Sequence, residues 1–247
     1  MSDQDDLLAL AKEVNDSDAL RYAGRIKTLQ VNYYVFNRNY GELKKLIEIK
    51  NDPKKMLELW DLRNRNQLEI VINEVLRLFH NFLASAKSLV DQTRVVIRAW
   101  YKDTDFLKEY NHQIASRFTN NQTARFIEDL RNYNLHYSLP ITNATFTIHN
   151  DKETGKSAID FSFVLVKSGL LEWSGWDKGK AFLSSSNDKI DIGNLASEYY
   201  KQILDFHSWL VERLQEIHQE DLLWLEKMRQ RTINAMSEEE RRERGLM

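Results

Sequence analysis

The residues best suited to chemistry in this sequence are Arg131, Asn132 and His136, which lie in the segment 126–140. The segment is predicted to be a helix that ends just before Pro140, because its apolar residues recur at helical spacing and proline does not continue a helix. A histidine can move a proton near neutral pH, since its unperturbed pKa is about 6.5. An arginine stays charged, and its planar donors match two phosphate oxygens. These residue types suit proton transfer beside a bound phosphate.

The predicted helix has two different faces at about 100° per residue. The stripe that should meet the core consists of Phe126, Leu130, Tyr133 and Tyr137. The opposite, polar face consists of Glu128, Asp129, Asn132 and His136. Leu135 is an apolar residue within the polar face, which indicates that this face is covered too.

The spacing of Arg131 and His136 sets a geometric problem. Five positions on a regular helix turn the two side chains apart by about 140°, so one straight helix does not aim both at one point. Either the helix end is distorted before Pro140, or a second copy of the helix completes the site. A purely structural role is the other interpretation: Arg131 would pair with Asp129 or Glu128, and His136 would cap the helix end.

The elements around this segment are predicted to be mainly helical. Eight glycines and two prolines in 247 residues are few, and both residues disfavour helices. A long helix is predicted from Pro53 to about Trp100, with a possible kink, and a second from Ile192 to about Met236. An earlier helix is expected at 19–49, interrupted at 37–41. The segment 120–123 should begin the helix that carries Arg131 and His136.

After Pro140 the apolar period changes to two. Residues 143–149 and 157–167 alternate around loop-forming residues at 150–155, which predicts a β-hairpin. Two strands alone are marginally stable, so the apolar face should lie on the helices or on a third strand at 170–173.

Composition excludes several classes of function. The chain has no cysteine, which removes disulfides and thiolate chemistry, and no metal or cofactor is expected. No apolar run is long enough to span a bilayer and no signal pattern is present, so a cytoplasmic protein without membrane attachment is predicted. The formal net charge of −2 gives no overall basic field, so a nucleic-acid site has to be a local basic patch.

Three further histidines are interpreted structurally. His80 lies in the apolar part of the 53–100 helix, which favours a hydrogen-bonded core or interface histidine over a ligand. His207 and His218 share a helix face, and ordinary surface or interface histidines are favoured over a metal pair.

The pattern Arg131-Asn132-x-x-x-His136 near a helix end, in an otherwise helical chain, resembles the motif of the HEPN superfamily. Members carry arginine, four to six residues and histidine, often with a polar residue after the arginine. The resemblance implies a mainly α fold: a HEPN-like helical bundle with long helices and a small β-hairpin insertion at 141–173. It implies a domain at 52–247, preceded by an N-terminal helical extension at 1–51.

The resemblance also implies an activity and partners. Active members are metal-independent endoribonucleases of toxin or phage-defence type, usually homodimers whose two motif helices face each other. His136 would be the acid–base group and Arg131 the phosphate clamp, while Asn132 would orient one of them. The expected partners are RNA, tRNA included, a second copy of the chain and an antitoxin or defence-system protein. The alternative is a catalytically inactive HEPN-like module for binding or dimerisation.

Overall fold

The computed structural model describes residues 3–150, 157–236 and 241–242, and most of these residues are helical. The helices are α1 (Asp3–Asn15), α2 (Asp18–Ile47), α3 (Pro53–Trp60), α4 (Arg65–Trp100), α5 (Asp105–Ile114), α6 (Gln122–His136), α7 (Lys167–Leu171), α8 (Lys180–Ser185), α9 (Ile192–Ile217) and α10 (Gln219–Ala235). The strands are β1 (Thr142–Asn150), β2 (Ser157–Val166) and β3 (Lys189–Asp191). The prediction of a mainly α fold with a small β insertion is confirmed. None of the described helices is long and apolar enough to cross a membrane.

Local capping residues set where several helices begin. Asp52 accepts a hydrogen bond from the Lys55 amide, and Pro53 occupies the first turn of α3. Asn121 accepts one from the Ala124 amide at 2.9 Å, which starts α6 where the sequence predicts it. These side chains satisfy amides that have no partner inside the helix, so a few residues determine the boundary.

Three of the predicted helices have different bounds in the structure. The interruption expected at 37–41 is wrong: α2 continues through it, with Phe36 and Leu43 fully buried on either side. The helix predicted at 53–100 is divided at Asp61, whose carboxylate accepts from the Arg63 amide at 2.9 Å. The helix predicted after 192 is likewise divided, at His218.

The chain forms two compact units, residues 1–31 with 207–247, and residues 32–206. In the first unit α1 packs on α10. His207 is buried with its Nε2 atom 3.3 Å from the Leu29 carbonyl oxygen, and the His218 ring stacks on Tyr22. Burial lowers the pKa of both histidines, which is typical of packed, neutral side chains. Neither unit begins or ends at residue 51, and the domain boundary expected there stays a prediction.

In the second unit the buried face of α4 is the centre of the core. α4 packs against α6, β1 and α3. The α4 residues in this core are Val75, Leu78, Phe79, Phe82, Leu83, Ala86 and Leu89. Burial of this much apolar surface is the main stabilising contribution to such a core, and it holds α6 along one side of α4.

The sheet is antiparallel in the order β1-β2-β3. Phe146 and Phe161 are opposite each other in the hairpin, and both contact the ring of Trp60 in α3. Of the two alternatives for the apolar face of the hairpin, packing on the helices is confirmed and a third strand at 170–173 is wrong. Residues 167–171 turn into the short helix α7, and 189–191 pairs with β2 instead. Most of the predicted hairpin turn, 151–155, lies outside the described residues.

Asp129 fixes the rotation of α6 through two hydrogen bonds to the loop before α8. It belongs to the polar face predicted from the sequence, and this face is covered at Asp129, whose relative exposure is 5%. Its Oδ2 atom accepts from the backbone amides of Asp177 and Gly179 at 3.0 and 2.7 Å. A Cβ atom at Gly179 would lie 3.0 Å from the Phe126 backbone, so the loop approaches α6 closely.

Replacing Asp129→Ala should lower the free energy of unfolding by about 2 kcal/mol, because the buried Gly179 amide and the part-buried Asp177 amide lose a charged acceptor. The measurement is urea denaturation followed by circular dichroism. The neighbouring Glu128→Ala variant is the control: Glu128 forms a surface ion pair with Lys178, worth at most about 1 kcal/mol. Equal losses in the two variants would contradict the role given to Asp129.

Candidate functional site

The buried face of α6 is an aromatic contact surface. The Phe126 ring stacks on Trp176 and Phe182, with centroids 5.4 and 4.4 Å apart. Tyr133 packs against Trp173 and Trp176, and its burial raises the pKa of the phenol above the usual 10. Tyr137 was predicted to belong to this face, which is wrong because it is 49% exposed. The helix ends before it, at His136.

Arg131 is half-buried and has no carboxylate partner among the described residues. Its single hydrogen bond there joins Nη1 to the Asn132 Oδ1 atom, at 3.4 Å. The two acids expected to pair with it are engaged elsewhere, Asp129 with backbone amides and Glu128 with Lys178. The structural interpretation of Arg131 is therefore wrong for the described part of the chain, and its donors remain available to a ligand.

His136 is the last residue of α6 and is exposed. Within the described residues it makes no hydrogen bond, so it does not cap the helix. The capping amide is that of Tyr137, which donates to the Tyr133 carbonyl at 2.9 Å. A free imidazole at a helix end is accessible for proton transfer.

The helix is regular throughout the motif. Tyr137 still forms the usual bond to the fourth residue before it, and only Ser138 departs by reaching back five residues to the same carbonyl. The distortion thus begins after His136 and leaves the angle of about 140° between Arg131 and His136 in place. Distortion of the helix end therefore does not bring Arg131 and His136 of one chain together.

Arg131 lines a pocket of about 180 Å³ between α4 and α6. Residues 131, 134 and 135 share one face of α6, and the α4 wall repeats at helical spacing. The lining residues are His80, Leu83, Ala84, Lys87, Ser88, Asp91, Arg131, Asn134 and Leu135. The pocket and His136 are therefore on different faces of the same helix.

Polar atoms without partners distinguish this pocket. The Nδ1 atom of His80 and both amide atoms of Asn134 are buried and make no hydrogen bond within the described chain. The prediction of a hydrogen-bonded core histidine at position 80 is wrong for that atom. Buried polar groups are almost always paired, so three unpaired atoms in one pocket are a mark of a site. Asn134 was not predicted from the sequence, in which its only indication of a role is its spacing of three residues from Arg131.

The charges of the pocket are partly paired. Asp91 accepts from Lys87 at 2.7 Å and from Arg94 at 2.9 Å. Among the cations that line the pocket, Arg131 has no acidic partner in the described residues. No group of three metal-ligating side chains occurs in the described ranges.

Because Arg131 has no acidic partner there, Arg131→Gln should change the free energy of unfolding by less than about 0.5 kcal/mol. The glutamine keeps part of the aliphatic stem of the arginine, and urea denaturation measures the difference. A loss above about 1.5 kcal/mol, the size expected for a charged hydrogen bond, would show that the guanidinium holds the fold.

Compared with family models, curated proteins and solved structures, the chain matches none. The resemblance to the HEPN superfamily therefore depends on Arg131, Asn132 and His136 and on their helical setting. An activity has to be argued from the geometry of the chain's own residues.

Proposed function

We propose that this chain is a metal-independent endoribonuclease of the toxin or phage-defence type, with Arg131, Asn132 and His136 in its active site. One observation carries the proposal. Within the described residues, the Arg131 guanidinium has no acid and the exposed His136 imidazole has no partner, although both lie in the last two turns of one helix. Arg131 therefore keeps donors for an anion such as a phosphate, and His136 is accessible for proton transfer.

The chemistry follows from the residue types. His136 accepts the proton of a ribose 2′-hydroxyl, and the resulting 2′-oxygen attacks the adjacent phosphorus. Arg131 binds the phosphate oxygens on which negative charge grows. As the bond from phosphorus to the 5′-oxygen breaks, the imidazolium returns the proton to that oxygen. The products are a 2′,3′-cyclic phosphate and a 5′-hydroxyl, and Asn132 orients the Arg131 guanidinium through their shared contact.

A second copy of the chain supplies the missing alignment. Since His136 and Arg131 of one α6 point about 140° apart, His136 of one protomer acts with Arg131 of the other. Apolar residues that a partner can cover surround the end of α6: Leu135, Tyr137, Leu139 and Ile141 are 51, 49, 50 and 56% exposed. Exposed apolar residues gathered in one segment are typical of interaction surfaces.

The proposed setting is the cytoplasm, with RNA as substrate, tRNA included, and an antitoxin or defence-system protein as regulator. Because the net charge is −2, non-specific electrostatic attraction between the protein and nucleic acid is weak. A local cation, Arg131, has to bind the phosphate at the cleavage site, which favours a narrow choice of substrate.

His136→Ala should lower RNA cleavage in EDTA by at least about a hundredfold, the usual contribution of a positioned acid–base group. Purified wild-type and variant proteins are compared on tRNA and on bulk cellular RNA, and the product ends are identified by mass spectrometry. Cyclic phosphate ends that appear with the wild type alone are the expected result.

His112→Ala is the matched control, because His112 is also an exposed histidine in the last turn of a helix, α5. It should cleave as the wild type does. Equal cleavage by the His136→Ala protein would refute the assignment. Binding of RNA with no cleavage by the wild type would favour the inactive binding module.

A further inference from the structure

The pocket between α4 and α6 contains a hydrogen-bonding pattern that nothing in the described chain satisfies. The Asn134 amide offers a donor, Nδ2, beside an acceptor, Oδ1, and both atoms are buried without a partner. The Nδ1 atom of His80, across the same pocket, is also unpartnered. Leaving these groups unpaired lowers the stability of the fold. A ligand that forms hydrogen bonds with them is therefore bound more tightly.

We propose that this pocket binds one RNA base next to the cleavage site, an inference that rests on the ribonuclease function proposed above. An asparagine amide matches the edge of a base, which presents a donor and an acceptor side by side. Proteins that choose RNA sequences take single-stranded bases into such pockets. The Asn134 amide is the element that reads the base edge.

A phosphate group fits the pocket less well than a base. Phosphate oxygens are acceptors, so they would satisfy the Asn134 Nδ2 atom and leave its Oδ1 atom facing a negative charge. The Asp91 carboxylate lines the same wall and would repel an anion, although Lys87 and Arg94 partly neutralise it. A neutral base meets neither penalty.

Size and walls agree with one base. A volume of 180 Å³ equals about six water molecules at roughly 30 Å³ each, which is enough for one planar ring system. Leu83, Ala84 and Leu135 supply apolar surface for its faces. The Asn134 side chain rotates on binding, so that its shielded amide meets the edge of the base.

The position of the pocket links base recognition to the reaction. Arg131 lines the pocket and also belongs to the proposed active site. A guanidinium that binds a phosphate can hold the base of the same nucleotide close to Asn134, because only the ribose separates the two groups. Cleavage would then occur beside one preferred base.

The test measures binding without cleavage. Full-length protein with His136→Ala is titrated with fluorescently labelled RNA tetranucleotides of each single base and with an abasic tetranucleotide, and anisotropy reports the Kd. At least one base should bind about tenfold more tightly than the abasic chain, as expected for a contact made by two hydrogen bonds. Equal Kd values for all probes, abasic included, would overturn the proposal and indicate a phosphate site or trapped water.

Variants identify the pocket as the source of the preference. Adding Asn134→Ala should reduce the difference between bases to within about twofold, and Asn120→Ala, at an exposed asparagine just before α6, should leave it unchanged. Ala84→Leu, at an exposed pocket residue, should fill the site and remove the preference without altering a polar group. Persistence of the preference in both pocket variants would contradict the proposal.

Thermal unfolding separates recognition from a structural role. The Asn134 amide has no partner to lose within the described residues, so the Tm of Asn134→Ala should be unchanged or higher. A clear fall in Tm would show that Asn134 supports the fold and would overturn the inference. A protein that prefers one base but cleaves no RNA refutes only the proposed function, whereas cleavage without any base preference refutes only this inference.

Discussion

The rotation of α6 about its own axis is the constraint on which the candidate site depends. One face is held by the stacked rings of Phe126, Trp176 and Phe182, and Asp129 holds the adjoining face through two backbone amides. Rotation of the helix would break both the ring contacts and the hydrogen bonds. Arg131 therefore faces the pocket beside α4, and His136 is exposed at the helix end.

This arrangement gives α6 three different surfaces in fifteen residues. The aromatic face supplies the burial that keeps the helix in place. The face with Arg131, Asn134 and Leu135 lines a pocket, and the end carries His136. Leaving the amide of Asn134 unpaired costs stability, about 1–3 kcal/mol for a buried polar group. Both the unpaired amide and Arg131, which has no acidic partner among the described residues, line this one pocket.

Local signals in the sequence predict the helices and the hairpin well. The caps Asp52 and Asn121 act within three residues of themselves, and the alternating apolar residues of the hairpin need only a period of two. The short strand β3 was missed because it is stabilised by pairing with β2, far away in the sequence. The alternative of a strand at 170–173 was wrong because no local signal in the sequence shows that 167–171 forms a helix.

The candidate site was predictable only in part. Arg131 and His136 could be chosen from their types and spacing, and their exposure or lack of partners agrees with a functional role. The hydrogen bonds of Asp129 could not be predicted, because the amides that donate to it belong to residues 177 and 179, distant in the sequence. His80 and Asn134 are 54 positions apart, so no spacing rule joins them. Their pocket exists only because α4 and α6 pack together.

The measurement that tests the central claim most directly is RNA cleavage in EDTA by a mixture of the Arg131→Ala and His136→Ala proteins. Each variant alone should be inactive. If His136 of one protomer acts with Arg131 of the other, every mixed dimer has one intact site, and random mixing should restore about a quarter of the wild-type rate. Failure of isolated mixed dimers to cleave, beside an active wild type, would contradict the composite site.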